Sequence, residues 1–158
     1  MIGLRELDAR DAGALVRIYS AEATRYLGRG AMDAAGARFH ARNAEVTAAE
    51  RPRTLHMLGL VVDGDLLGVV KLHLDRAVPS VSYIVRADAW GRGFATAGVR
   101  EVLGLAFGRL GLSEVRASYH PDNPASGRVL EKAGFVPTGE QDGFMTCAAR
   151  PPRTRGPR

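Results

Sequence analysis

The chain has 158 residues, 46% of them hydrophobic, which is enough to build one domain around a sizeable core. Its formal net charge is +5, but four of the 22 basic residues stand among the last nine positions, where there is no acid. The other 18 basic residues face 17 acidic ones, so the body of the chain is nearly neutral and gives no indication of a nucleic-acid-binding domain.

The single cysteine, Cys147, excludes an intrachain disulfide and a cysteine-rich metal site, and the four histidines show no metal-ligand spacing. Charges come too early for a signal peptide, and no apolar run reaches membrane-spanning length. We therefore expect a soluble, cytoplasmic protein without a metal and without specific nucleic-acid or membrane partners. Residues 1–149 are predicted to form one domain and residues 150–158 a disordered basic tail.

Alternating residues predict a first strand over 2–7, after which Asp8 or Asp11 is expected to cap a helix. A second helix is predicted to follow the glycine-broken run at 25–32 and to end near Glu50, ahead of Pro52. The buried positions predicted for the first helix are Ala12, Leu15, Val16 and Tyr19. Those predicted for the second are Ala35, Phe39, Asn43 and Val46.

Residues 55–75 contain two β-rich runs joined by Asp63-Gly64-Asp65, which predicts a hairpin. Strands over 80–85 and 114–120 flank an amphipathic helix, so this segment is predicted to form a right-handed βαβ unit with parallel strands. Gly111 is predicted to end the helix. The apolar positions of that helix are Ala95, Val99, Val102, Leu103, Ala106 and Leu110.

The last predicted helix begins at Asn123-Pro124 and ends at Gly134. Two short strands over 135–138 and 144–149 are expected to close the fold. The chain shows no internal repeat.

The turn Trp90-Gly91-Arg92-Gly93 lies between a strand and a helix, where glycines and a helix N-terminus direct backbone N–H groups toward one point. Such a turn favours a phosphate compound. No Gly-Lys-Ser/Thr follows, so a P-loop does not fit, and the dinucleotide fingerprint fails because Thr96 stands at the third glycine position. A tight turn without ligand remains the structural alternative.

The run at 83–96, YIVRADAWGRGFAT, resembles the coenzyme A diphosphate signature of the GNAT acetyltransferases, with Trp90 at its first position as in the RimJ/RimL-type branch. The run at 123–135, NPASGRVLEKAGF, is similar to the second signature of that branch, and RYLGRG at 25–30 resembles its segment between the first two helices. The likeness covers roughly residues 3–140. It implies a GNAT fold of the α/β class: a mixed, mostly antiparallel sheet of six or seven strands with a central parallel βαβ unit and about four helices.

In such enzymes the strand matching residues 80–85 bulges and splays from the strand matching 114–120, and pantetheine enters the gap. The resemblance thus implies acetyl-CoA as cosubstrate, with backbone groups of Ile84 and Val85 on pantetheine or the thioester carbonyl. Asn123 is expected on the pantetheine arm and Arg128 near the adenosine end. The diphosphate site is expected at Trp90, Gly91, Arg92, Gly93, Phe94, Ala95 and Thr96, with N–H groups of Arg92, Gly93, Ala95 and Thr96 as donors.

The implied chemistry is direct attack of a neutral amine on the thioester, which needs donors for an oxyanion and a proton for the departing sulfur. Ser126 matches a serine that lies near the sulfur in RimL-like enzymes and is the candidate acid, or else it only caps its helix. The commoner family tyrosine is Leu130 here, and the family's strand-four glutamate has only Ser80 and Ser82 as its nearest matches.

His120, which ends the strand bordering the gap, is the candidate base, or else a turn residue. Three residues near the end of the first helix are candidates for substrate contact, although ordinary surface is the favoured reading: Glu22, Arg25 and Tyr26. The remaining histidines are expected on faces or rims: His40, His56 and His73.

These features predict an N-acetyltransferase that acts on a primary amine of a small molecule or a protein N-terminus. A noncatalytic acyl-CoA-binding regulatory module is the alternative, because the strand-four acid and the family tyrosine are missing. A nucleic-acid-binding protein is a third reading that rests on residues 150–158. Dimerisation is common among members of the family, so the resemblance also allows a homodimer.

Overall fold

The computed structural model describes residues 1–153 and 156 and places seven strands in one mixed sheet, in the order β1-β2-β3-β4-β5-β7-β6. Only β4 and β5 pair in parallel, which confirms the predicted mostly antiparallel sheet. The strands are β1 Ile2–Glu6, β2 Leu55–Val62, β3 Asp65–His73, β4 Ser80–Val85, β5 Val115–Tyr119, β6 Val136–Gln141 and β7 Phe144–Ala149. The helices are α1 Ala12–Ile18, α2 Ala21–Thr24, α3 Ala34–Ala49, α4 Phe94–Gly104 and α5 Pro124–Lys132.

Helices cover both faces of the sheet. Residues of α1 and α3, with Ala23 of α2, pack on the face that carries Met57 and Val69, and we call this the α1–α3 face. Helices α4 and α5 pack on the face that carries Val70 and Leu72. Successive residues of β3 thus point to opposite layers, as strand geometry requires.

The capping residue of the first helical segment is Asp8, whose carboxylate accepts a hydrogen bond from the backbone of a short 3-10 helix, Ala9–Asp11, that runs into α1. Arg5 donates two hydrogen bonds of 2.9 Å to the carboxylate of Asp11 and ties β1 to this segment.

The predicted buried sides of the first two long helices are partly wrong. Phe39 and Val46 of α3 are 74% and 54% exposed, and Val16 of α1 is exposed while Ile18 points inward. The residues of α3 that are buried are Ala37, Ala41, Ala44 and Thr47. Small side chains let α3 lie close to α1 and β2, so packing selects the narrow side of the helix over its larger apolar residues.

Helix α4 buries Val99, Val102 and Leu103 as predicted, and Ala106 follows in a single π turn, Leu105–Arg109. Leu110 at the end of this turn is 36% exposed, which corrects its predicted burial. Gly111 then reverses the chain at a φ of 64°, in agreement with the sequence.

Strand β6 extends to Gln141, three residues beyond its predicted end. The predicted tail begins at Arg150, whose Nη2 lies 3.1 Å from Oε1 of Glu114, and its residues 154, 155, 157 and 158 lie outside the described residues. Over residues 1–153 and 156, no helix has both the length and the apolar character that a bilayer crossing requires.

Gly68 sets the distance between β3 and β4, because a Cβ there would lie 2.6 Å from the backbone oxygen of Ile84. We expect Gly68→Ala to lower the free energy of unfolding by about 1–3 kcal/mol, the usual cost of overpacking, in urea denaturation. Gly104→Ala, where a Cβ meets no atom within 4 Å, is the matched control and should be neutral or stabilising. Equal midpoints for the two variants would contradict the tight approach.

Candidate active site

A cavity of about 380 Å³ lies between β4, the start of α4 and α5. Its wall holds eleven of the thirteen site residues predicted from the sequence, namely Ile84, Val85, Trp90, Gly91, Gly93, Phe94, Ala95, Thr96, Asn123, Ser126 and Arg128. Arg92 and His120 are not part of this wall. The fold therefore assembles most of the predicted residues from three separate stretches of the chain.

The cavity exists because β4 and β5 pair at one position only, Ser80 with Arg116. The N–H of Arg116 donates to the carbonyl of Pro79 at 2.8 Å, and beyond this point the strands diverge, so the expected splay is confirmed. The prediction of a bulge in β4 is wrong where this strand pairs with β3, because the pairing is continuous from Ser80 to Val85. Gly68 permits this because it offers no side chain to push β4 away.

Hydrogen-bond alternation identifies the backbone groups that face the gap. The N–H of Arg86 donates to the carbonyl of Leu67 in β3 at 2.8 Å, so the backbone of Val85 points the other way, toward β5, and that of Ile84 toward β3. The indole N–H of Trp90 donates to the Val85 carbonyl at 2.8 Å. The N–H of Val85 is thus the donor presented to the gap.

The turn before α4 depends on two glycines. Gly91 and Gly93 both have a φ of 78°, a left-handed conformation that side-chain-bearing residues rarely adopt. Gly93 caps α4 without a side-chain hydrogen bond from any described residue, so the first N–H groups of the helix face the cavity without a capping side chain. An 11-residue helix presents partial positive charge here, which favours an anion.

Ser126 lies beside Tyr83, which projects from β4 toward α5. The two hydroxyl oxygens are 2.5 Å apart, and the Tyr83 hydroxyl also lies 3.1 Å from the carbonyl oxygen of Ser126, to which it donates. The capping residue of α5 is Asn123, whose Oδ1 accepts the N–H of Ser126, so the Ser126 hydroxyl is not the cap. Burial raises the pKa of Tyr83 to about 12, so this phenol stays protonated at neutral pH.

Sequence reasoning missed Tyr83, because only the fold brings it next to a residue 43 positions away. The expectation that Glu22 and Tyr26 lie on ordinary surface is also wrong, since both line the α2 side of the cavity. The Arg25 guanidinium stacks over Tyr26, with its central carbon 5.2 Å from the ring centroid.

His120 stands at the edge of this region, packed 5.3 Å from the ring of Tyr26 and edge-on to Phe144. Its Nδ1 accepts a hydrogen bond of 3.0 Å from the backbone N–H of Asp122. The neutral ring that makes this bond carries its proton on Nε2, which is then a donor.

A second group of titratable residues lies around Tyr19 on the α1–α3 face. Lys71 Nζ and the guanidinium carbon of Arg29 are 5.9 Å and 4.9 Å from the Tyr19 ring centroid, and the Tyr19 hydroxyl is 3.5 Å from Nε2 of His40. Burial and the charge of Arg29 lower the pKa of Lys71 to about 8. Burial, Lys71 and Arg29 lower the pKa of His40 to about 4.

His40 should make stability depend on pH. Its pKa is depressed in the folded protein from the ordinary 6.5, so the unfolded chain takes up the proton first and stability is lost as the pH falls from 6.5 toward 4. We expect the urea midpoint of His40→Gln to fall less than that of the wild type between pH 7 and pH 4.5. Parallel curves would show that His40 does not contribute.

Comparison with known proteins gives a consistent result. A family model described as an acetyltransferase (GNAT) domain matches residues 2–136. The chain is 28% identical over 153 residues to an uncharacterized N-acetyltransferase of Bacillus subtilis, YoaA, which spans 90% of this chain and 83% of that protein.

Solved structures of other acetyltransferases share the fold. Mycobacterium smegmatis RimJ in complex with CoA-disulfide has a TM-score of 0.75 at 24% identity, covering 94% of this chain and 81% of that one. The aminoglycoside acetyltransferase AAC(6')-Ib in complex with coenzyme A and kanamycin also has a TM-score of 0.75, at 18% identity, covering 95% of each chain.

Proposed function

Since the chain belongs to the GNAT acetyltransferase family, we propose that its cavity binds acetyl-CoA and that the enzyme acetylates a primary amine of a small molecule or a protein N-terminus. One observation carries the proposal: a single cavity joins the N-terminus of α4, which has no capping side chain, to the gap between β4 and β5, and both Val85 and Ser126 line it. Family membership makes the chain an N-acetyltransferase. Trp90 and the run at 123–135 resemble the signatures of the RimJ/RimL-type branch, and this resemblance supports placing the chain in that branch.

Acetyl-CoA would lie along the length of the cavity. Its diphosphate would accept hydrogen bonds from the N–H groups of Arg92, Gly93, Ala95 and Thr96, and its pantetheine arm would pass the Asn123 side chain. Arg128 and Lys132, one turn apart on α5, both line the cavity and would face phosphate groups of the nucleotide end. The division into an acetyltransferase domain, residues 1–149, and a disordered basic tail, residues 150–158, stays a prediction.

The acetyl group would sit at the gap, with its carbonyl oxygen on the N–H of Val85. A neutral amine attacks the carbonyl carbon, and the N–H stabilises the oxyanion that forms. Collapse breaks the C–S bond, and the sulfur gains one proton while the amine loses one. Ser126 would donate to the departing sulfur. The proton of the amine leaves through solvent or through His120, whose contact with Asp122 opposes the tautomer that a base needs.

Tyr83 would act as a positioning residue for Ser126. The phenol carries a single proton, which it can give to the carbonyl oxygen or to the hydroxyl oxygen of Ser126. When it donates to the hydroxyl oxygen, the serine proton is free to point at the sulfur. Leu130, which replaces the common family tyrosine, is 1% exposed in the core and takes no part in proton transfer.

Gly93→Asp should weaken cofactor binding, because it puts a carboxylate where the diphosphate belongs. We expect at least a tenfold weaker Kd for coenzyme A in calorimetric titration, and loss of thiol release from acetyl-CoA with an amine panel. Gly111→Asp is the control, because its φ of 64° imposes similar backbone strain at the far end of the α4 segment.

Wild-type affinity in Gly93→Asp would refute the site. Tight coenzyme A binding by the wild type without turnover of any amine would support the regulatory module instead. A comparable loss in the control would show a folding defect.

Ser126→Ala should lower kcat about tenfold to a hundredfold, the range for loss of acid catalysis, and leave the Kd of coenzyme A unchanged. Tyr83→Phe should have a smaller effect, and the double variant should resemble Ser126→Ala, because Tyr83 acts through the serine. An unchanged kcat in Ser126→Ala would remove its role, and additive effects would separate the two hydroxyls.

A further inference from the structure

We propose that the acceptor of this enzyme carries a carboxylate a few bonds from its reacting amine, and that Lys71 and Arg29 bind that carboxylate; the inference rests on the acetyl transfer proposed above. The residues concerned lie outside the predicted cofactor site. They occupy the α1–α3 face of the sheet, beside the strand that ends at the gap.

Strand register places Lys71 within reach of an acceptor at the gap. Lys71 of β3 pairs with Ser82 of β4, and Val69 pairs with Ile84, so Ser82 and Ile84 stand on the same face of β4. Ile84 lines the cavity and Ser82 is exposed. Ser82 lies three residues before Val85, whose N–H is proposed to hold the acetyl carbonyl, so the side chain of Lys71 starts about 10 Å along the strand from the reacting end.

The two cations have no acidic partner. Lys71 and Arg29 both approach the ring of Tyr19, and neither forms a salt bridge within residues 1–153 and 156. Burial and the charge of the exposed Arg29 both disfavour the charged form of Lys71 and lower its pKa. An anion that approaches the two cations offsets this cost, which gives it a binding free energy that a neutral group lacks.

The groups around Lys71 and those on the α2 side of the cavity favour opposite charges. His40 of α3 and His73 of β3 add hydrogen-bonding capacity, and Nε2 of His73 lies 3.0 Å from the exposed Ser82 hydroxyl. Of the acids, Asp75 acts on His73, and Glu22 lines the α2 side of the cavity. An ammonium is attracted toward Glu22 and a carboxylate toward Lys71, so the arrangement fits an acceptor with both charges and disfavours a diamine.

The first test uses the two lysines of the chain, Lys71 and Lys132, as probes. Lysine labelled with 13C at Cε gives two NMR signals, which Lys71→Arg assigns. Protein saturated with coenzyme A is titrated with 5-aminopentanoate and, separately, with pentylamine. We expect the carboxylate to shift the Lys71 signal and raise the pKa of Lys71, and pentylamine to do neither. A Lys71 signal that ignores 5-aminopentanoate overturns the inference, whether or not acetyl transfer is observed.

The second test is kinetic and compares 5-aminopentanoate with 5-aminopentanamide, its neutral counterpart. Glycylglycine is included as a carboxylate that resembles a peptide. We expect at least a tenfold lower KM for the carboxylates over the amide. Lys71→Met should erase that ratio while leaving the kcat/KM of pentylamine and the Kd of coenzyme A unchanged. Arg17→Gln, on the exposed side of α1, is the control and should keep the ratio.

The outcomes separate the two proposals. Turnover without a preference for carboxylates, or with a preference for diamines, overturns the carboxylate site and leaves acetyl transfer standing. A shifted Lys71 signal without turnover of any amine supports the anion site and refutes the proposed reaction. Preference for glycylglycine over 5-aminopentanoate identifies a peptide as the source of the carboxylate.

Discussion

The single residue pair between β4 and β5 is the constraint on which the rest of the structure depends. Past Ser80 and Arg116 the strands separate, and their backbone groups need other partners because buried unpaired N–H and C=O groups are costly. The indole of Trp90 supplies one partner by donating to Val85, and so ties the glycine turn to the end of β4. The same separation leaves the Val85 N–H facing the gap.

Close approaches at glycine fix the elements around that gap. A Cβ on Gly127 of α5 would lie 2.8 Å from Cζ of Tyr119 in β5, so this helix rests directly on the tyrosine ring. Ser126 precedes that glycine, so the contact of α5 with the Tyr119 ring also sets the position of Ser126 beside Tyr83. Gly98 has the same role in α4, where a Cβ would lie 3.1 Å from Val70. Small residues thus determine the width of the cavity.

Local patterns in the sequence predicted where helices, strands and turns lie better than they predicted which side of each helix is buried. The glycine turn, the hairpin at Asp63-Gly64 and the cap at Asn123 could be predicted because each depends on backbone conformations or hydrogen bonds between near neighbours. The buried side of α3 could not, because close packing selected alanines over Phe39 and Val46. Tyr83, Lys71 and Arg29 escaped notice for a related reason: their partners are far along the chain, and no local spacing records them.

The divergence of β4 from β5 also creates two strand edges in the interior of the molecule. Exposed edges invite pairing with other chains, and proteins usually protect them with charges, prolines or bulges. Here α5 lies over one side of the opening and α2 over the other, and the indole of Trp90 takes the last carbonyl of β4. The cavity can therefore hold backbone donors ready for a ligand without offering another polypeptide a strand to join.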